Sequence, residues 1–227
     1  MSPLRETLEP SGDLAARVSS FLIGTGEEVA WQDSLVVLDD GEAGLLFYAQ
    51  LPVEPGDSYR LEVRGDHGEV TRALTQVPLR VRLDPGPVTM DFNDRLAQQV
   101  TLVDLLRMPR SMNILYRVTP PGATDTVTVR LPLFVFSSSS GSIVVRVPLE
   151  TDREEVLSRL QVPQHDSTVV LHSLGLEIEQ LSGEWETPGA PVNIENGFGF
   201  FGSVARYVET WTLEAADIRQ LGYTPPE

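Results

Sequence analysis

The chain of 227 residues contains no cysteine and no lysine. Without cysteine it can form no disulfide framework, no thiolate nucleophile and no cysteine-ligated zinc site. Without lysine, all 17 basic residues are arginine, and 33 acidic residues bring the formal net charge to −16. Such a surface repels phosphate backbones and anionic lipid headgroups, so the charge argues against nucleic acid and against a membrane surface as partners.

Long apolar runs are also missing. The longest, such as residues 131–136, are far shorter than the roughly 20 residues that a membrane-spanning helix needs. Residues 1–12 are polar and lack the apolar segment of a signal peptide, which indicates an extended tail or tether. These features predict either a cytosolic protein or the mature or trimmed form of an exported one.

Short apolar segments separated by turn signals occupy most of the remaining sequence. Asp-Gly and Pro-Gly pairs, as in Pro55-Gly56-Asp57, supply the backbone angles of tight hairpins. In residues 59–64 apolar and polar residues alternate strictly, which predicts a strand with one buried and one wet face. The pattern predicts an all-β fold of two small antiparallel β-sandwich domains with two short helices.

The segment 83–87, Leu-Asp-Pro-Gly-Pro, is the predicted domain boundary, because two prolines around a glycine should end a strand ladder. The predicted division is a tail over 1–12, a first β-sandwich over 13–84 and a second β-rich domain over 88–222. Thr151 and Glu154 match a capping box, which predicts Thr151 as the N-cap of a helix near 152–160. A second helix is predicted over 214–221, with Gly222 just beyond its end. Residues 101–107 are expected to be irregular or helical.

The three histidines do not form a recognisable catalytic set. His67 lies in a predicted turn, and His172 alternates with apolar residues in a predicted strand. His165, Asp166 and Ser167 supply the residue types of a hydrolase triad, but triads converge from separate elements of the fold. We therefore predict no catalytic residues, no cofactor, no metal site and no enzymatic activity.

One acidic cluster has two interpretations. Asp39, Asp40 and Glu42 form either an acidic hairpin turn or an oxygen-rich calcium site. The cluster lacks the spacing of an EF-hand loop, so the sequence favours the turn.

A tryptophan between two carboxylates also has several interpretations. On a strand, Glu184 and Glu186 would share one face about 7 Å apart, with Trp185 on the other. That separation is near the one found in inverting glycosidases, but one strand rarely supplies both catalytic groups. The alternatives are a surface Trp185 that stacks on a sugar and a tryptophan in the core or between domains.

The segment 197–202, Gly-Phe-Gly-Phe-Phe-Gly, is the most distinctive in the chain. Its glycines allow another chain segment to approach closely. Phe198, Phe200 and Phe201 either continue the core of the second domain, where they would plug one end of the sandwich, or form an exposed patch that docks on a partner. The candidate residues for partner contact are these three phenylalanines and Trp185.

Three parts of the sequence resemble a family of unknown function among Bacteroidota-type surface lipoproteins, often encoded beside TonB-dependent receptors. They are residues 53–63 (Val-Glu-Pro-Gly-Asp-Ser-Tyr-Arg-Leu-Glu-Val), 75–78 (Thr-Gln-Val-Pro) and 193–203, which ends in the glycine and phenylalanine segment. The resemblance implies an Ig-like or transthyretin-like first domain, a second β-rich domain and a role at the outer membrane. Such lipoproteins begin with a signal peptide and a lipidated cysteine, which this sequence lacks. The resemblance then implies that residues 3–12 are the surface tether.

The sequence therefore predicts a non-catalytic binding module of the cell surface, exported to the outer membrane or periplasm. Its expected partner is a protein of an outer-membrane transport system, such as a TonB-dependent receptor, or a small nutrient or glycan. The alternative is a carbohydrate-binding module, which would carry an exposed aromatic row involving Trp31, Trp185 or Trp211. A hydrolase is the least favoured hypothesis.

Overall fold

The structure of the chain, a computed structural model, describes residues 16–37, 43–103, 108–133, 135–139, 142–185, 193–197 and 201–226. Strands account for most of these residues and pair antiparallel in several sheets, which confirms the predicted all-β, sandwich-type fold with two helices. Neither helix in these ranges is long and apolar enough to cross a membrane.

The strands and helices follow one another along the chain without a repeating unit. The first strands are β1 (Ala16–Leu22), β2 (Glu28–Ala30), β3 (Gln32–Val37), β4 (Ala43–Tyr48), β5 (Ser58–Gly65), β6 (Val70–Gln76), β7 (Arg82–Met90) and β8 (Leu96–Val103). The later strands are β9 (Ser111–Thr119), β10 (Val127–Pro132), β11 (Val135–Ser139), β12 (Ser142–Val147), β13 (Val170–Leu181), β14 (Ile194–Glu195) and β15 (Val204–Trp211). The helices are α1 (Leu149–Arg159) and α2 (Ala215–Gln220), and a 3₁₀ helix covers Gly183–Trp185.

The chain folds into two compact units. Unit one comprises residues 1–78 and 181–204, and unit two comprises residues 79–180 and 205–227. Unit one contains a five-stranded sheet of order β14-β6-β5-β1-β2 and the hairpin β3-β4. This division differs from the predicted ranges 13–84 and 88–222, because β14 pairs with β6 and so returns the segment around residue 194 to the first unit.

Strand β7 continues through the segment that was expected to end a ladder. Pro85 lies opposite Val100 of β8, and the register shifts between Pro85 and Val88. The ladder tolerates the prolines because β7 is the edge strand of the sheet β11-β12-β8-β7, where no further strand needs their missing N–H groups. The prediction that the two prolines end the strand ladder is therefore wrong.

Unit two has a deep apolar core between two four-stranded sheets, β10-β9-β13-β15 and β11-β12-β8-β7. Val100, Ile114 and Leu176 are fully buried, at 0% exposure. Tyr207 and Trp211 of β15 pack against this core from its margin. Their shared face agrees with the alternation predicted for the last strand.

Helix α1 begins earlier than predicted. Its N-cap is Pro148, which makes no side-chain cap hydrogen bond, and Thr151 lies inside the first turn. The Oγ1 of Thr151 accepts a hydrogen bond from Nη1 of Arg95 at 3.0 Å. Glu150 accepts one from the backbone N–H of Leu96 at 3.0 Å. The capping-box assignment is wrong, because contacts with residues 95 and 96 occupy the side chains of the first turn.

Helix α2 ends where the sequence predicts. Gly222 adopts a positive φ of 79°, a conformation that glycine takes without steric cost. Its N–H donates to the carbonyl of Arg219 at 2.9 Å, and the N–H of Tyr223 donates to that of Ile218 at 3.0 Å. These two bonds make up the Schellman motif, so a local signal was sufficient to fix this boundary.

Candidate binding site

Of the four residues predicted to contact a partner, the structure describes two, Phe201 and Trp185. Phe198 and Phe200 lie outside the described residues, and Phe201 is half-buried. Trp185 is 43% exposed and lies in the 3₁₀ helix. Its indole N–H donates to the carbonyl of Ser203 at 3.0 Å, which brings Trp185 next to the end of the glycine and phenylalanine segment.

A buried polar cluster explains why residues 182–185 lie here. The Oγ1 of Thr75 on β6 donates to a carboxylate oxygen of Glu184 at 3.0 Å and lies 3.2 Å from Oγ of Ser182. The N–H of Ser203 donates to the same Ser182 oxygen at 3.0 Å. Glu184 lies in a 3₁₀ helix that is tied to β6, so the strand geometry considered for Glu184 and Glu186 does not apply. Glu186 lies outside the described residues.

The side chain of Asn193 joins the two ends of the loop 193–201, of which residues 193–197 and 201 are described. Its Oδ1 accepts a hydrogen bond from the N–H of Phe201 at 3.1 Å, and its Nδ2 donates to the carbonyl of Phe201. The same Nδ2 donates to the carbonyl of Leu74 on β6 at 2.8 Å. One side chain thus joins both ends of the loop to an edge of the sheet, as a pair of backbone bonds would.

The first residues of this loop follow β6 closely. Ile194 and Glu195 pair with Ala73 and Arg72. Asn196 has a positive φ of 57°, and its carbonyl accepts a hydrogen bond from Oγ1 of Thr71 at 2.9 Å.

Gly197 follows in that tight turn. A Cβ at Gly197 would lie 2.8 Å from Cγ2 of Thr71, a distance that side chains do not tolerate. This confirms, for Gly197, the expected close approach of another segment. That segment is β6 of unit one, so the predicted contribution of this stretch to the second domain is wrong.

A cleft of about 380 Å³ opens between β6, β14 and the neighbouring strand β5. It is lined by Arg60, Arg72, Ala73, Leu74, Asn193, Ile194 and Glu195. Leu74 is 53% exposed, so an apolar side chain is available to a ligand in this cleft. Four of the seven lining residues are polar or charged and three are apolar, and the volume of the cleft is at the small end of the range of small-molecule sites.

Beside the cleft, one carboxylate is covered by three arginines. Glu62 on β5 is buried at 5% exposure. Its Oε1 lies 3.3 Å from Nε of Arg60 and 3.1 Å from Nε of Arg72, and its Oε2 lies 3.2 Å from Nη2 of Arg64. Arg60 also stacks over the ring of Phe21, with its Cζ 4.8 Å from the ring centroid. Of these three arginines, Arg60 and Arg72 also line the cleft, so their contacts with Glu62 orient two guanidinium groups at its rim.

The environment of Glu62 corrects the prediction of a uniformly wet face on β5. Burial raises the pKa of Glu62, but hydrogen bonds from Arg64 and Arg72 and the charge of Arg60 lower it by more, so its pKa is lowered overall. The carboxylate therefore stays ionised beneath the arginines. Strand alternation predicted the direction of the side chain, but Arg72 comes from β6 and gives no local signal.

The remaining candidates from the sequence do not assemble into a site. His67 is exposed in its turn, and Nε2 of His172 lies 2.8 Å from Oγ1 of Thr119. Asp166 accepts hydrogen bonds from the N–H and hydroxyl of Thr168 at 2.7 and 2.6 Å, which closes a local turn beside the exposed His165. In the described part of the chain, no three His, Asp or Glu residues are grouped to hold a metal ion.

The acidic cluster that the sequence offered as a turn or a calcium site is separate from these candidates. Asp39, Asp40 and Glu42 lie outside the described residues, so the choice between a turn and a calcium site stays a prediction.

The three tryptophans lie in separate elements. The indole N–H of Trp31 donates to Oγ of Ser20 at 3.1 Å, and that of Trp211 donates to Oε1 of Gln98 at 2.9 Å. Both rings are half-buried, so Trp185 is the exposed one of the three. Unit two has a cleft of about 430 Å³ beside Trp211, lined also by Arg80 and Glu209, which form an ion pair.

Comparison of the chain with protein-family models, with curated proteins and with solved structures returned no match. The resemblance to surface lipoproteins therefore stays a prediction that rests on residues 53–63, 75–78 and 193–203. The candidate site is instead defined by its geometry.

Proposed function

We propose that this chain is a non-catalytic binding module whose ligand or partner occupies the cleft between β6 and β14. The observation that carries the proposal is the clamp formed by Asn193, which ties residues 193 and 201 to an edge of the sheet beside an arginine-rimmed cleft. The docking hypothesis from the sequence also includes Phe198 and Phe200, which lie outside the described residues.

The resemblance supports a location for this activity. It favours a module at the cell surface that assists an outer-membrane transport system, with residues 3–12 as its tether. The partner would then be a receptor protein of that system or the nutrient that the receptor imports.

A second candidate, carbohydrate binding, is favoured by one observation. Trp185 is 43% exposed beside the end of the loop, and an exposed indole ring is a suitable surface for stacking on a sugar. An array of neutral oligosaccharides would test it. Binding by the wild type that is lost in Trp185→Ala would favour this candidate over a protein partner.

The primary test uses the immobilised chain and a detergent extract of a bacterial outer membrane. Leu74→Asp places a charge in the cleft at an exposed position, so it should abolish capture of a specific partner without unfolding the sheet. Val53→Asp is the matched control, because Val53 is similarly exposed, at 47%, and does not line the cleft. Capture that survives Leu74→Asp, or no specific capture by the wild type, would overturn the proposed site.

A further inference from the structure

The arginines in the described part of unit one all lie on one face of its five-stranded sheet. Arg17 is opposite Arg64, Arg72 is opposite Glu62, and Arg60 is two positions from Glu62 along β5. Like charges directly opposite one another on a sheet are destabilising. The same face also carries Glu195, opposite Arg72, and Glu28, opposite Phe21, so its four arginines exceed its three carboxylates by one at the paired positions. In a chain with a net charge of −16, such a local surplus of cations is suited to receive an anion.

Two of these arginines leave hydrogen-bond donors at the cleft. Arg60 and Arg72 both contact Glu62 through Nε, the innermost nitrogen of the guanidinium group. A guanidinium group has five N–H donors, four of them on its two terminal amino groups. Among the described residues, those terminal groups of Arg60 and Arg72 make no hydrogen bond. Glu62 therefore orients both guanidinium groups without occupying their forked ends.

The floor of the cleft selects for more than charge. Leu74 lies opposite Arg60 on the face of the two arginines and is 53% exposed, so it presents apolar atoms to the cleft, whereas Ala73 and Ile194 pair with each other on the opposite face. A bare inorganic anion would leave this apolar surface in water. An anion with an apolar body would cover it and gain the free energy of its burial.

We propose that the cleft binds a small carboxylate ligand with an apolar body, an inference that rests on the binding function proposed above. The forked ends of Arg60 and Arg72 receive the carboxylate, since planar guanidinium groups match its two oxygens. The apolar body lies on Leu74, which shares the face of the two arginines. Glu62 is a positioning residue, which holds the two guanidinium groups in place.

The test is a titration of the ¹⁵N-labelled chain, followed by its amide chemical shifts, with hexanoate, hexanamide and inorganic phosphate as separate probes. Hexanoate should shift the amides of residues 72–74 and 193–195. Arg72→Gln should weaken hexanoate binding by about tenfold or more, since a charged hydrogen-bonding partner is lost. Arg64→Gln is the matched control, because Arg64 contacts the same Glu62 but does not line the cleft, and it should leave the affinity unchanged.

Each variant is checked by its own spectrum before ligand is added. Arg72→Lys serves as a second variant that keeps the charge but loses the fork, and it should recover part of the affinity at most. Hexanamide or phosphate binding as tightly as hexanoate would overturn the carboxylate inference. So would equal losses in Arg72→Gln and Arg64→Gln, or no shift with hexanoate. None of these outcomes shows whether Leu74→Asp abolishes capture of a partner. The carboxylate inference can therefore fail while the proposed binding function stands, and the reverse.

Discussion

The two units bury their apolar residues to different depths. In unit two, Ile114 and Leu176 are fully buried, at 0% exposure, whereas in the described part of unit one the least exposed apolar side chain is Ala73, at 3%. Unit one instead relies on polar contacts between distant segments, such as those of Thr75 and Asn193. The difference indicates that unit two has the more robust fold and that unit one depends more on single polar side chains.

Both units also bury carboxylates on the outer face of a central strand. In unit two, Glu179 lies between Arg110, at 3.3 Å, and Arg206, while Glu177 is paired with Arg130. The hydrogen bond from Arg206 lowers the pKa of Glu179. Two carboxylates thus face three arginines in unit two, whereas in unit one a single carboxylate faces three. Because Glu195 also lies opposite Arg72 on that face, the anion site is proposed there for the unbonded terminal amino groups of Arg60 and Arg72 rather than for net charge alone.

The largest expected effect comes from the core of unit two. Leu176→Ala should lower the free energy of unfolding by about 2–5 kcal/mol, because it removes buried methyl groups and leaves a cavity. Val18→Ala, on β1 of unit one, should cost only about 1–2 kcal/mol, since it removes less apolar surface. Urea denaturation measures both, and equal losses would contradict the difference in core depth.

The next comparison uses two buried tyrosines of unit two. The hydroxyl of Tyr116 donates to Oδ2 of Asp152 at 2.7 Å, whereas that of Tyr223 is buried without a hydrogen-bond partner among the described residues. Tyr116→Phe should therefore cost about 1.5–3 kcal/mol, as expected for a bond to a charged group. Tyr223→Phe should be neutral or slightly stabilising. Thermal melts distinguish them, and a Tyr223→Phe loss as large as that of Tyr116→Phe would contradict the assignment.

Asp152 makes the stability of unit two depend on pH in the opposite direction to the dependence that Glu62 gives unit one. Burial raises the pKa of Asp152 to about 6 from an ordinary value of 3.8, although the hydrogen bond from Tyr116 lowers it. At pH values between 3.8 and about 6, Asp152 is therefore mostly protonated in the folded chain and mostly ionised in the unfolded chain. This contribution to stability is fully present below about pH 4 and is lost as the pH rises through about 6. The lowered pKa of Glu62 has the opposite sign, and its contribution is lost only as the pH falls below the ordinary range of a glutamate.

Asp152→Asn tests this sign, because asparagine keeps the acceptor for Tyr116 and does not titrate. The stability of the wild type relative to the variant should fall by about 2 kcal/mol between pH 4 and pH 7. The measurement is the free energy of unfolding of both proteins across that range. Parallel curves would show that Asp152 has an ordinary pKa.

The smallest expected effect concerns the loop of unit one. Gly197→Ala should lower stability by about 1 kcal/mol and increase hydrogen exchange at residues 193–197, because its Cβ would clash with Cγ2 of Thr71. Thr71→Ser removes that methyl group and keeps the hydroxyl that donates to Asn196. The double variant should therefore exchange more slowly than Gly197→Ala alone. Failure of this rescue would exclude the close approach to β6 as the reason for the glycine.

Local sequence patterns predicted individual strands and helices better than they predicted which of these elements contact one another. The alternation in residues 59–64 predicted β5, and Gly222 predicted the end of α2, because both signals arise within a few residues. The start of α1 and the course of β7 were predicted wrongly for a shared reason. Contacts of Thr151 with Arg95, and the edge position of Pro85, come from elements elsewhere in the sequence.

The sequence by itself determined the all-β class, the distinctive character of residues 193–203 and the absence of cysteine chemistry, since composition and short-range periodicity set these properties. Only the tertiary structure placed β14 against β6, buried Glu62 beneath arginines from two strands and brought Arg60 and Arg72 to one cleft. Strand pairing joins residues that are far apart in the chain, and one sequence contains no signal for which edge a two-residue strand will meet. The candidate site depends on that pairing, so it could not be predicted before the fold was known.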